Sequence, residues 1–109
     1  MAMVKQYEVY WIDLEPTQGS EIKKIRPCII VTPNEMNEFL NTVIVAPLTS
    51  TLKQVYPFRA QVNINDKKGW SALDQLKCID KSRIKGKLGS LSDKEIQLIK
   101  NILFEMLVK

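Results

Sequence analysis

Three cations, Lys23, Lys24 and Arg26, crowd the segment EIKKIRPCIIV at residues 21–31, just before its apolar run. A strand needs no positive charge at its start in order to fold, so these groups are aimed at something outside the chain, and cations recognise anions. A second cluster, Lys77, Lys81, Arg83, Lys85 and Lys87 against the lone carboxylate Asp80, repeats the pattern. With 16 Lys and Arg against 12 Asp and Glu, the formal net charge of +4 permits an anionic partner such as a nucleic acid. The 109 residues include no histidine. That removes Ser-His-Asp and Cys-His catalysis, the commonest metal ligand and the usual acid–base group near neutral pH. Any catalysis must come from carboxylates, hydroxyls and cations.

A frame of short strands has to position these groups. YEVYWIDL, residues 7–14, is rich in aromatic and branched residues and reads as a strand, with Trp11 expected in the core. EPTQGSEIKKI, residues 15–25, carries Pro16 and Gly19 and reads as a loop. RPCIIVT (26–32) and TVIVAPL (42–48) are nearly continuous apolar runs of the kind that form central strands, with a single helical turn expected over 33–40 between them. PFRAQVNI (57–64) alternates apolar with polar residues, and NDKKGW places a hairpin turn at Asp66 to Gly69. WSALDQLKCI and GKLGSL are two further strands, with Trp70 able to serve either the core or a stacked base. Ser92 with Glu95 three residues on is a capping box, followed by a stripe of Ile96, Ile99, Ile102, Leu103, Met106 and Leu107 at helical spacing. That stripe is expected to be core, whereas Phe104 and Val108 lie off it. Cys28 and Cys78 are too isolated for a disulfide framework or a zinc site and are expected as reduced core residues. No apolar run is long enough to span a bilayer, and the N-terminus lacks a signal-peptide pattern. The expectation is one cytoplasmic domain over residues 1–109, mainly β with five to seven strands and a C-terminal α-helix.

Six segments now fall into a known order: VYWIDLEPTQGSE (9–21), RPCIIVTP (26–33), VAPLTS (45–50), YPF (56–58), ALDQLKCID (72–80) and LSDKEIQLIK (91–100). In this order and at this chain length the sequence resembles the MazF/PemK/Kid family of toxins from type II toxin–antitoxin pairs. The resemblance implies an SH3-like β-barrel with a C-terminal helix, assembled as a homodimer. It further implies a metal-independent, sequence-specific endoribonuclease that cuts single-stranded messenger RNA without a cofactor. A cognate antitoxin would block the site, and the basic channel calls for one with an acidic, partly disordered tail.

The resemblance also assigns roles. Arg26 matches the catalytic arginine of the "RP" motif; its planar guanidinium can donate two parallel hydrogen bonds to phosphate. Thr49 matches the catalytic threonine, with Ser50 beside it as a second hydroxyl. Glu21 matches a loop glutamate and is the candidate base for the RNA 2′-hydroxyl. Gln18, Gly19 and Ser20 would shape the RNA channel, and the cations Lys23, Lys24, Lys53, Lys77, Lys81, Arg83, Lys85 and Lys87 are candidates for contacts to RNA phosphates along it. Asp74 and Gln75 match a "DQ" pair that in some members helps catalysis and in others sits by the dimer interface, and both are candidates for RNA binding. The Kid branch carries an arginine two places before that aspartate, where this chain has Ala72, so the sequence leans toward the MazF branch. The competing reading is a CcdB-like toxin that binds DNA gyrase without catalysis, which would have no use for a cradle of Arg26 and Thr49.

Overall fold

The structure, a computed structural model, describes residues 3–15, 18–19, 24–50 and 58–108. Among these residues seven strands, β1 (Glu8–Asp13), β2 (Ile25–Ile30), β3 (Thr42–Thr49), β4 (Arg59–Ile64), β5 (Lys67–Ala72), β6 (Lys77–Asp80) and β7 (Ile84–Ser90), form one antiparallel sheet. The helices are α1 (Asn34–Phe39) between β2 and β3, and α2 (Asp93–Leu107) at the C-terminus. Strands follow the spatial order β4-β5-β3-β2-β1-β7, while β6 pairs with the first half of β3. WSALDQLKCI is not one strand: a 3-10 turn at Leu73–Gln75 separates β5 from β6. No helix among the described residues is long and apolar enough to cross a membrane.

The apolar runs CIIV and TVIVAPL are explained by burial on both faces. Consecutive strand residues point to opposite sides. Val9, Ile29, Ala46 and Leu48 accordingly join Leu91 and Ile99 in one core. Ile12, Cys28, Ile30, Val43 and Val45 join Ile79 and Ile84 in the other. Cys28 is fully buried, and burial pushes its thiol up to about 12, with the nearby Arg26 charge opposing. Cys78, expected inside, is exposed because β6 turns only alternate residues inward and Ile79 takes the buried position.

The sheet curls into a half-barrel, bringing the tip of the β4–β5 hairpin against β7. Asn65 Nδ2 donates to the Leu88 carbonyl at 3.1 Å, bridging the two ends. A Cβ on Gly89 would stand 3.3 Å from Ile64 Cγ2, so the absent side chain is what lets β7 come this close. The hairpin turn lies two residues earlier than the glycine in NDKKGW suggests. Ile64 pairs with Lys67, and Asn65 and Asp66 take φ of 52° and 66° between them, the geometry of a two-residue type I′ turn. Asn and Asp tolerate this left-handed conformation, whereas Gly69 sits within β5.

Helix α2 starts as the capping box dictates. Ser92 Oγ accepts from Glu95 N at 3.2 Å, and Glu95 Oε1 accepts from Ser92 N at 2.9 Å. Glu95 Oε2 also accepts from Asn63 N at 2.6 Å, satisfying an amide on edge strand β4 and tying the helix to the sheet. Ile99 is wholly buried, worth roughly 2 kcal/mol of apolar transfer. Met106 and Leu107, assigned to the core by periodicity, are exposed along with Phe104 and Val108, because the last turn of α2 runs past the sheet.

Beside β1, Lys87 pairs with Glu8 at 2.5 Å. Burial pushes the Glu8 carboxyl up. Hydrogen bonds from Lys87, the Lys5 amide and the Tyr10 hydroxyl, with the Lys87 charge, outweigh burial and hold it below the usual range.

Candidate nucleic-acid interface

A cavity of about 410 Å³ opens at one end of the half-barrel. That volume falls in the range of ligand pockets. Its apolar floor is Trp11, Pro27, Leu48, Ile64 and Leu88, drawn from β1, β2, β3, β4 and β7. Trp11, expected in the core, is 41% exposed. It lies on the same face of β1 as the buried Val9, and that face leaves the core and becomes the cavity floor at Trp11.

Arg26 and Thr49 meet at the rim. Strands β2 and β3 pair from Ile30–Val45 to Cys28–Pro47, and two further steps of the same alignment bring Arg26 level with Thr49. Pro27 and Pro47 lack the N–H that would extend the ladder. The strands part where the functional side chains stand, and Arg26, Thr49 and Ser50 all line the cavity. On the other side Thr49 pairs with Trp70, and a Cβ on Gly69 would lie 3.7 Å from the Thr49 carbonyl oxygen. Trp70 is half-buried outside the cavity.

Lys24 joins the same rim, held in a left-handed conformation with φ of 73°. Its amide donates to Glu15 Oε1 at 3.0 Å and its carbonyl accepts from Leu14 N at 3.2 Å. A lysine in this region costs about 1–2 kcal/mol relative to glycine, and such strain concentrates at functional sites.

The remaining sequence candidates divide by position. Gln18 and Gly19 are exposed in the β1–β2 loop, where Gly19 has φ of 56°, a conformation suited to glycine. Glu21, Ser20, Lys23 and Lys53 lie outside the described residues. Lys77 and Arg83 do not line the cavity: Lys77 Nζ donates to the Leu14 carbonyl at 3.1 Å and Arg83 Nη1 to the Asp13 carbonyl at 3.5 Å. Both brace the chain where the β1–β2 loop departs. Lys81 Nζ likewise donates to the Asn37 carbonyl, so much of the second basic cluster holds backbone together.

Asp74 and Gln75 also stand away from the cavity. Asp74 accepts two hydrogen bonds from Arg59, at 3.0 and 3.1 Å. The arginine missing at position 72 is thus replaced from across the sheet, since Arg59 is the cross-strand partner of Ala72. In their place the cavity gains Asn65, Lys67 and Lys68 from the hairpin. Their signal in the sequence is two adjacent lysines after an Asn-Asp pair, and placing the turn at the glycine conceals it. Among its described lining residues are four cations, Lys24, Arg26, Lys67 and Lys68, and no carboxylate.

Fold and site together define a class: a small curled β-sheet protein with a C-terminal helix and a cationic, hydroxyl-bearing cleft suited to phosphate. Residues 5–107 match the family model for the PemK-like, MazF-like toxin of type II toxin–antitoxin systems, and the chain belongs to that family. It is 36% identical over 106 residues to a protein named Endoribonuclease MazF from Staphylococcus saprophyticus, spanning 93% of this chain and 88% of that protein. Among solved structures it is similar to MazF from Deinococcus radiodurans, with a TM-score of 0.87 at 21% identity over all of both chains. It is also similar to a mycobacterial endoribonuclease in complex with its cognate antitoxin, with a TM-score of 0.80 at 22% identity over 95% of this chain and 94% of that one. At these identities the structural likeness is one of fold.

Proposed function

We propose that the chain is the endoribonuclease toxin of a type II pair and cuts single-stranded messenger RNA in the cleft that holds Arg26 and Thr49. The observation that carries this reading is the meeting of those two residues where β2 and β3 part. The RNA's own 2′-oxygen attacks the adjacent phosphorus, the bond to the 5′-oxygen breaks, and the products are a 2′,3′-cyclic phosphate and a 5′-hydroxyl. One proton leaves the 2′-hydroxyl and one reaches the departing 5′-oxygen; no metal ion is required for that balance. Arg26 stabilises the negative charge that builds on the non-bridging oxygens, and the Thr49 hydroxyl bonds to the same phosphate. Glu21 is the candidate acceptor of the 2′-proton, and Gln18, Gly19 and Ser20 belong to the loop that guides the strand. Holding the phosphate and the 2′-oxygen in line supplies the rest of the acceleration.

The toxin acts as a single domain in the cytoplasm, as a homodimer, and is inhibited by an antitoxin whose acidic, partly disordered tail competes for the cationic cleft. Incubating the purified protein with a long single-stranded RNA in excess EDTA, then mapping cut sites and end groups, tests the reading. Cuts at one short recurring word with 5′-hydroxyl ends are expected. Intact RNA with folded, antitoxin-free protein would overturn the nuclease and favour a gyrase-binding toxin.

Lys24 offers a second test, because its backbone strain and its charge can be separated. Lys24→Gly relieves the left-handed strain but loosens the unfolded chain, so the net stability change is expected within about 1 kcal/mol. Lys24→Gln keeps the strain. Both remove the cation, and both should lower kcat/KM about tenfold, the size of one charged hydrogen bond. Thermal melts should rank glycine at or above glutamine; the reverse order would show that the strain is smaller than the unfolded-state entropy that glycine adds.

A further inference from the structure

The β4–β5 hairpin forms a second wall of the cleft, and nothing in the reaction at Arg26 and Thr49 uses it. Lys67 and Lys68 both line the cavity. Both are exposed. Two adjacent residues on a flat strand would point to opposite faces. At the hairpin tip, however, Lys67, the first residue after the type I′ turn, and Lys68, paired with Asn63, both border the cavity.

This wall is fixed in place. Asn65 bonds to the Leu88 carbonyl, and Ile64 is seated against Gly89, so the tip is fastened to β7. The floor beneath it is apolar, formed by Trp11, Leu48 and Leu88. A cleft with cations on two walls over an apolar floor fits a strand whose phosphates lie along the rims and whose base rests on the indole.

We propose that Lys67 and Lys68 form a second phosphate subsite, which holds an RNA phosphate next to the scissile one and sets affinity rather than the rate of the bond-breaking step. The subsite rests on the nuclease reading above. Its residues are positioning residues for the substrate, with Arg26 and Thr49 left to the reacting phosphate.

The test compares wild type with Lys67→Gln/Lys68→Gln and Lys67→Arg/Lys68→Arg on an RNA oligonucleotide carrying the mapped cut site. Binding is measured on the same oligonucleotide with a 2′-deoxy residue at the cut, over a range of salt. The glutamine pair is expected to raise KM and Kd on the order of tenfold or more, with kcat unchanged. The plot of log Kd against log salt should become shallower by about 0.7 for each phosphate that the variant no longer neutralises. The arginine pair should restore affinity and the salt slope. Lys100→Gln, exposed on α2 and outside the cavity, should change neither.

Cleavage by wild type with KM, Kd and salt slope all unchanged in the glutamine pair would overturn the subsite while leaving the nuclease intact. A fall in kcat at unchanged Kd would overturn it as well, because the lysines would then serve the reacting phosphate. Loss of binding to a synthetic acidic peptide, with RNA affinity preserved, would assign the hairpin to a protein partner instead. No cleavage by wild type would remove the nuclease reading and the subsite with it.

Discussion

Arg26→Ala is expected to abolish RNA cleavage within ordinary assay limits while leaving the fold intact. The proposed reaction concentrates charge on the phosphate oxygens in the transition state, and a guanidinium aimed there acts most strongly at that moment. Losing a single neutral donor at such a position costs roughly a hundredfold to a thousandfold in kcat, and arginines in phosphoryl transfer contribute on the order of a thousandfold or more. Arg26→Lys should fall between wild type and alanine, because lysine restores the charge but not the two-pronged geometry. Neither core contains Arg26, and the β2–β3 pairing stops two residues short of it, so the melting temperature should move little. Single-turnover rates with circular dichroism on the same samples separate the two effects. A variant that is folded and retains more than about a tenth of wild-type kcat would contradict the assigned role.

Asn37→Ala should be the most destabilising polar substitution in the described structure. Asn37 is fully buried on α1 and Thr32 nearly so. The Thr32 hydroxyl donates to Asn37 Oδ1 at 2.6 Å, Asn37 Nδ2 donates to the Thr32 carbonyl at 2.8 Å, and the Ile44 amide donates to Thr32 Oγ1 at 3.3 Å. This ring fastens the β2–α1 connection to β3. Alanine leaves the Thr32 hydroxyl hydrogen without its acceptor and the Thr32 carbonyl without the amide's hydrogen bond in a site too buried for easy hydration, at a cost of about 2–4 kcal/mol. In a chain of this size that lowers the melting temperature by roughly 10–20 °C. Adding Thr32→Val removes one of the stranded groups, so the double variant should lose less than the sum of the singles. Full additivity in denaturant titrations would show that the ring is not a unit.

Local chemistry alone makes much of this protein legible. The capping box and apolar stripe locate α2, because helix start signals and a 3.6-residue period depend only on near neighbours. The two apolar runs mark β2 and β3, and the absence of histidine narrows the available chemistry to cations, hydroxyls and carboxylates. Arg26 and Thr49 stand out by resemblance to a known motif, and the strand alignment does bring them to one rim.

What the chain order could not determine was the destination of each charge. Lys77 and Arg83 look like ligands for phosphate, and both stand outside the cavity with hydrogen bonds to carbonyls at the base of the β1–β2 loop. Lys67 and Lys68 look like turn residues, and both line the cleft. Asp74 finds an arginine, but from the facing strand of the hairpin, 15 residues earlier, rather than from position 72. Trp11 has the composition of a core residue and becomes a cavity floor because the sheet curls away at that point. Cations on neighbouring strands look alike in a sequence, and their distance from a site is set by ladder register and sheet curvature. Both are products of long-range packing between the two cores, so only the tertiary structure decided which positive charges share a cleft with Arg26.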